Sequence, residues 1–233
     1  MLWMKHWMET RWRLLLACAA FMVVALFAQG RPSPIPAEQR VQGTSSIFSL
    51  FLVIQSVSLA GSGIKTQAPF RTGKGLHGSA HFTLSLPVSR LRLLTSRMSI
   101  GALELLAAIV VGALAYGILL PMQFPEVNLS VLDIARYVFT LFACLAAAFS
   151  ISTLLATFLD DLWQAWGSLI VIGALGGLTS LVSLPRAIDP FWAIFGGSPL
   201  VTHTIPWGAI ATSLAFATTL SVAAAKIVQR RDY

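Results

Sequence analysis

Two histidines at helical spacing are the first candidates for chemistry in this chain. His77 and His81 are four residues apart, so they would face one way on a helix, as paired zinc ligands do. No third ligand is evident near them in the sequence, and zinc sites take at least three protein ligands. Cys18 and Cys144 fall in apolar stretches, where a thiol behaves as a small apolar group. The sequence therefore predicts neither a metal site nor a disulfide.

Phosphate binding and hydrolysis are the next chemistries to consider. The nearest match to the nucleotide-binding pattern GxxxxGK[ST] is Thr72-Gly73-Lys74-Gly75, which lacks the leading glycine and the hydroxyl residue after the lysine. We therefore expect this chain to bind no nucleotide and no other cofactor. An intramembrane hydrolase would need a base or metal ligands at depth, and the apolar stretches hold no histidine.

Composition indicates the solvent in which this chain folds. Hydrophobic residues make up 56% of the 233 positions and charged residues 11%, whereas an average soluble domain has about 25% charged residues. The mean hydropathy is +0.77. The chain is therefore predicted to be a single all-α integral membrane domain covering residues 1–233.

Apolar windows of the length needed to cross a bilayer recur along the chain. A hydrocarbon core of about 30 Å needs about 20 helical residues, and we predict about six spans. They are Leu14–Ala28, Thr44–Ser62, Met98–Leu120, Val131–Phe158, Trp163–Leu184 and Pro206–Ile227. Residues 1–13 are predicted to form an interfacial helix, with Trp3 and Trp7 one turn apart. A cleaved signal peptide is the competing interpretation, disfavoured by the bulky Leu26 before a site at Ala28.

Basic residues are distributed unevenly between the two sides that six spans would create. One side receives Lys5, Arg11, Arg13, Lys65, Arg71, Lys74, Arg90, Arg92, Arg97, Lys226, Arg230 and Arg231. The other receives Arg31, Arg40, Arg136 and Arg186. Because basic residues near span ends stay in the cytoplasm, both termini are predicted to be cytoplasmic. The net charge of +7 then reflects this bias, and nucleic-acid binding is not expected.

Loops on the opposite side are short, so no extracellular domain is expected. The longest, residues 185–205, mixes aromatic residues with Gly and Pro and suits short helices at the membrane interface. Asp133 and Arg136 are three apart and are predicted to pair on one helix face.

The predicted spans contain one ionisable residue and one pair of glycines that are candidates for a specific role. Glu104 is the ionisable residue placed most clearly inside a span, where a carboxylate is costly without a partner or a purpose. It is a candidate for a conformational or substrate-path role; alternatively it reaches the headgroups or pairs with Arg97. Gly173 and Gly177 are four apart, a spacing that favours close helix packing within or between subunits.

A basic segment, residues 63–97, separates the second and third predicted spans and is called the coupling segment below. Physically, Leu76, Phe82, Leu84 and Leu86 offer apolar contacts, Pro87 ends a helical run, and Arg90, Arg92 and Arg97 would meet anionic headgroups. A plain basic membrane anchor is the alternative. Within this segment the string GSAHFTLSLPVSRLRLL resembles the corresponding loop of permeases in the type 2 ATP-binding cassette (ABC) exporter family, and the terminal KIVQRRDY resembles that family's ending.

The resemblance implies a coupling helix that docks on a separate ATPase, formed by Leu76, His77, His81, Phe82, Leu84, Leu86, Pro87, Arg90 and Arg92. His81 stands where the family often has an acidic residue. It further implies a bacterial plasma-membrane complex of two permease subunits, equal or different, with an ATPase pair that binds ATP and Mg. Transport would be outward, by alternating access, for an unidentified substrate. An importer's substrate-binding membrane module and an intramembrane enzyme are the alternatives.

Overall fold

A computed structural model of the chain describes residues 36–60, 89–123, 129–159, 161–196 and 199–230. It also describes eight helical positions before them, namely 7, 10–12, 14, 15, 18 and 19. Most of the first predicted span, Leu14–Ala28, lies outside the described residues, as does most of the predicted interfacial helix and of the coupling segment.

Every regular element in the described ranges is a helix. These are α1 (Ala37–Ala60), α2 (Arg90–Gln123), α3 (Val131–Ala156), α4 (Asp161–Leu181), α5 (Pro190–Phe195), α6 (Pro199–Thr202) and α7 (Trp207–Arg230). Five of them, α1 to α4 and α7, are long and apolar enough to cross a membrane. The predicted all-helical, multi-pass membrane fold is therefore confirmed, while the count of six spans stays a prediction.

The helices begin earlier than the hydropathy windows suggested at two places. The helix predicted from Thr44 begins at Ala37, directly after Pro36, and the helix predicted from Met98 begins at Arg90. Residues 90–97 are thus the first turns of α2 and not part of a loop. Hydropathy falls where arginines appear, but arginine and leucine are both good helix formers, so the helix continues through them. Ser89 supports this start, since its hydroxyl accepts from the backbone N–H of Arg92 at 3.4 Å.

Contacts between helices fix their directions. Phe48 of α1 lies beside Tyr137 of α3, and Ser152 of α3 donates to the carbonyl of Val57, so α1 and α3 run parallel. Helix α7 runs the same way, since Trp207 lies beside Phe139 and Ser221 beside Ser150. Helices α2 and α4 run in the opposite direction, as the contacts of Gly101, Gly112 and Gln164 show. Consequently Arg92, Lys226 and Arg230 share one end, called the basic end below. Arg40, Arg136 and Arg186 share the other with α5, called the α5 end.

Helix α3 is the centre of the bundle. It contacts all six other labelled helices, and 61% of its most apolar window is buried, compared with 17% for α4 and 28% for α7. Tyr137, Leu141 and Leu145 are at most 1% exposed. Helices α4 and α7 lie on α3 without packing against each other. The described residues therefore leave much of α4 and α7 uncovered.

Close approach between α1 and α2 depends on a glycine. A Cβ at Gly112 would lie 2.2 Å from Cζ of Phe48, so the Phe48 ring rests on bare helix backbone. The same ring lies 5.6 Å from Tyr116 and 6.3 Å from Tyr137, measured between centroids. This aromatic group joins α1, α2 and α3 near the α5 end.

The connection between α4 and α7 contains the short helices that its composition predicts. Asp189 caps α5, its side chain accepting from the backbone N–H of Phe191 at 2.9 Å, and Pro190 occupies the first turn. Ser46 of α1 donates to the carbonyl of Phe195 at 2.6 Å and holds the other end of α5. The connection is therefore fastened to the bundle.

Candidate functional site

Glu104 lies on the buried face of α2, toward the basic end. It is 3% exposed, and Oε1 accepts a hydrogen bond from Oγ1 of Thr10. The side chain therefore does not extend to the headgroups. Thr10 is itself 6% exposed and belongs to the helical N-terminal residues, so this contact joins the start of the chain to α2. In an apolar bundle the hydroxyl offsets part of the cost of burying a carboxyl group.

The surroundings of Glu104 are tightly packed. One turn earlier on the same face, a Cβ at Gly101 would lie 2.9 Å from Cζ of Phe149 and 3.3 Å from the carbonyl oxygen of Leu59. Arg97, two turns before Glu104, is 8% exposed, so the expectation that it lies among headgroups is wrong. This buried face brings α1, α2 and α3 together beside the carboxyl group.

A second buried polar group fastens α4 to its neighbours. Nε2 of Gln164 donates to Oγ of Ser152 and, at 3.3 Å, to the carbonyl of Val57. Ser168 donates to Ser152 at 3.2 Å and to the carbonyl of Gln164 at 2.6 Å. All three side chains are at most 3% exposed. The group links α1, α3 and α4 near the basic end, and sequence patterns gave no sign of it.

A cluster of polar and charged side chains lies at the α5 end. Asp133 forms a capping box with Ser130 at the start of α3. Its Oδ1 lies 3.2 Å from Nη1 of Arg136 and 3.1 Å from Nδ1 of His203. The predicted pairing of Asp133 with Arg136 is confirmed. His203 joins them through a backbone in the left-handed region, with φ 55°, and its carbonyl accepts from Arg136. The contact between His203 and Asp133 could not be predicted from the sequence, because the two residues are seventy positions apart.

Most of the residues that the family resemblance assigns to ATPase coupling lie outside the part of the chain that the structure describes. Leu76, His77, His81, Phe82, Leu84, Leu86 and Pro87 lie outside the described residues. Arg90 is described through its backbone, as the first residue of α2, and Arg92 is an exposed side chain on its first turn. Both arginines therefore lie in the first turn of α2, whose start is formed by residues 90–97 of the coupling segment.

Gly173 and Gly177 lie on an uncovered face of α4. A Cβ built at either position meets no atom within 4 Å, whereas at Gly176 it would lie 3.2 Å from the Phe191 ring. Ile170 and Leu181 on this helix are 68% and 82% exposed. Among the described residues, nothing packs closely on Gly173 or Gly177, so this face of α4 is open to a close approach by another helix.

The polar groups that the structure places between helices are the Glu104 carboxyl group, several hydroxyls and the Gln164 amide. Among the described residues no group of three His, Cys, Asp or Glu side chains is placed to hold a metal. Ionisable side chains within membrane spans are rare and usually face the bundle interior, as Glu104 does. Fold and site together define the class: a multi-pass helical membrane protein with buried polar contacts between its spans. No protein-family model, curated protein or solved structure matches the chain.

Proposed function

We propose that this chain is the transmembrane permease subunit of an ABC exporter, acting with a separate pair of ATPase subunits and a second permease subunit. The observation that carries the proposal is the sequence GSAHFTLSLPVSRLRLL, which ends inside α2 and resembles the coupling loop of type 2 ABC permeases. The chain would bind no nucleotide itself. ATP and Mg would act in the partner, and the cytoplasmic side of a bacterial plasma membrane would be the basic end.

The length of α2 supports a coupling role for the segment before it. Thirty-four residues give a helix of about 51 Å, well beyond a hydrocarbon core of about 30 Å. A stiff helix that continues without a break from Arg90 to Glu104 would transmit a displacement of residues 63–89 to the buried face of the bundle. ATP-driven closure of the partner subunits would move α2 in this way and favour one of two access states.

The uncovered face of α4 supports a second permease subunit. Small residues let helix backbones approach closely in lipid, where packing replaces the hydrophobic effect as the driving force. Gly173 and Gly177 provide such a surface, with exposed Ile170 and Leu178 beside them. The substrate path would lie between the two subunits, lined by predominantly apolar side chains that suit lipids, hydrophobic drugs or small peptides.

Copurification tests the partnership. The tagged chain is purified from its native membrane in mild detergent, and the partners are identified by mass spectrometry and by MgATP hydrolysis. The expected result is a stoichiometric ATPase that is lost when Phe82→Asp and Arg90→Glu are combined. Glu38→Lys is the matched control, because it reverses an exposed charge at the α5 end and leaves the coupling segment unchanged.

The outcomes separate the proposal from its rivals. No ATPase with the unaltered chain would overturn the proposal in favour of an autonomous membrane protein. An ATPase retained by the double variant and lost in Glu38→Lys would move the docking surface to the opposite end. Direction of transport in inverted vesicles separates an exporter from an importer module, since both would bind an ATPase.

A further inference from the structure

A cavity lies between α4 and α7, the two spans that pack on α3 without packing on each other. Its volume is about 240 Å³. Small residues of α3, Cys144, Ala147 and Ala148, form its floor, and the α5 connection closes one end with Phe191 and Ile194. For comparison, an engineered apolar protein cavity of about 150 Å³ binds benzene. The space is therefore large enough for an organic group.

The lining of the cavity is almost entirely hydrocarbon. Its two threonines bond their hydroxyls to helix carbonyls: Thr179 donates to Gly176 at 3.0 Å and Thr212 to Ala209 at 2.9 Å. Ser213 is 1% exposed, and its polar neighbour is the Cys144 thiol, a weak acceptor. No oxygen or nitrogen of the described chain bonds the Ser213 hydroxyl. Water needs two to four polar partners, so it is a poor occupant here.

The shape and position of the cavity select the occupant. The lining residues of α3 run from Cys144 to Ile151, which is about 10 Å along the helix. At the rim, Phe216 and Ile188 are 42% and 38% exposed. Because the flanking helices are apolar enough to cross a membrane, the mouth opens sideways into hydrocarbon. An apolar cavity that extends about 10 Å along a helix and opens to hydrocarbon suits a segment of one linear alkyl chain.

We propose that the cavity between α4 and α7 binds one acyl chain of a membrane phospholipid. Lipid reaches the mouth laterally from the bilayer. Its acyl chain then gives the lining side chains packing contacts that they lack when the cavity is empty. Arg186 is exposed and lies two residues before the rim residue Ile188, where a guanidinium can hold the phosphate of the same lipid. This site is independent of any ATPase partner.

Photolabelling tests the site. The chain is placed in nanodiscs of phosphatidylethanolamine and phosphatidylglycerol that contain a trace of phospholipid with a diazirine midway along one acyl chain. After irradiation, labelled residues are mapped by mass spectrometry. We expect label on Cys144 and Ala148, which are 1% and 7% exposed, as well as on Leu103, which is 56% exposed. Bulk lipid alone would label Leu103 and leave the cavity floor unlabelled.

Matched variants connect the label to the cavity. Ala147→Phe fills the floor and is expected to lower the label on Ala148 at least fivefold without changing that on Leu103. Ala174→Phe, on the exposed face of α4, is the control and should change neither. Ile188→Trp at the rim is the second filling variant, used if Ala147→Phe does not fold. An unlabelled floor, or floor label unaffected by the filling variants, would overturn the proposal.

A separate arm tests the headgroup. Arg186→Gln is expected to lower floor labelling by the phospholipid about threefold or more, and to leave labelling by a long alkane with the same diazirine unchanged. Phosphate binding by Arg186 would be contradicted if the phospholipid labelled wild type and variant equally, or if labelling by both probes fell equally. The bound acyl chain could then not be assigned to a phospholipid.

Discussion

Thr10 changes the interpretation of Glu104. A carboxyl group in a predicted span was expected to serve transport, to reach the headgroups or to pair with Arg97. The structure adds a hydroxyl donor ninety-four positions away in the sequence. No pattern in the sequence marked Thr10, because hydrogen bonds between distant helices depend on how those helices pack. Glu104 therefore has a structural contact whether or not it also acts in transport.

A double-mutant cycle measures that contact. We expect Thr10→Val and Glu104→Leu each to lower the free energy of unfolding, with a coupling energy of about 0.5–2 kcal/mol, because each removes one partner of the same hydrogen bond. Thermal unfolding in detergent provides the readout. Strictly additive effects would show that the contact is weak. Unaltered transport by fully expressed Glu104→Gln would separately remove the carboxylate from the mechanism.

Gly208 is a position where a single methyl group is costly. A Cβ there would lie 2.3 Å from the carbonyl oxygen of Ala187, and a backbone atom cannot move aside cheaply. We expect Gly208→Ala to destabilise the bundle by about 1–3 kcal/mol. Gly43→Ala is the control, since its Cβ meets nothing within 4 Å on a helix, and it should stabilise by about 0.5–1 kcal/mol. Equal unfolding temperatures for the two variants would contradict a close contact between Gly208 and the Ala187 carbonyl.

At the scale of elements, α4 is held by few contacts and by one polar group. Among the labelled helices it packs mainly on α1 and α3, and Gln164 and Ser168 supply its buried hydrogen bonds to them. We expect Gln164→Leu to cost about 0.5–2 kcal/mol and to increase hydrogen exchange across Asp161–Leu181. Ser180→Ala, exposed on the same helix, should leave exchange unchanged. If hydrogen exchange across α4 in Gln164→Leu kept its wild-type rate, apolar packing alone would be holding the helix.

The exposed face of α4 also carries a prediction about assembly. In a chain without Cys18 and Cys144, Gly173→Cys and Gly177→Cys should form disulfide-linked permease pairs in native membranes, because these positions would face the second subunit. Ala107→Cys on an exposed part of α2 is the control. Crosslinks of equal yield at all three positions would indicate random collision and contradict a specific α4 interface.

At the scale of the whole molecule, the distribution of basic residues sets the expected orientation. Arg92, Lys226 and Arg230 lie at one end, and Arg186 lies at the other. In the same cysteine-free chain, a membrane-impermeant maleimide added to spheroplasts should label Arg186→Cys and spare Lys226→Cys until the membrane is opened. Labelling of Lys226→Cys in closed spheroplasts would reverse the orientation.

Hydropathy alone determined that this chain is a bundle of membrane-crossing helices, because the bilayer requires about 20 apolar residues and internal hydrogen bonding at each crossing. Residue composition predicted the short helices of the α4–α7 connection, and the three-residue spacing predicted the pairing of Asp133 with Arg136. Helix starts were less well predicted, since Ala37–Gly43 and Arg90–Arg97 extend helices beyond the apolar windows.

Tertiary structure decided the rest. The Thr10–Glu104 contact, the Gln164–Ser152 group and the place of His203 beside Asp133 all join residues on different elements. The uncovered glycine face of α4 and the cavity between α4 and α7 likewise follow from which helices pack on α3. A linear pattern reports the environment each residue prefers. Which residues share that environment depends on helix directions and close approaches that the chain adopts only when folded.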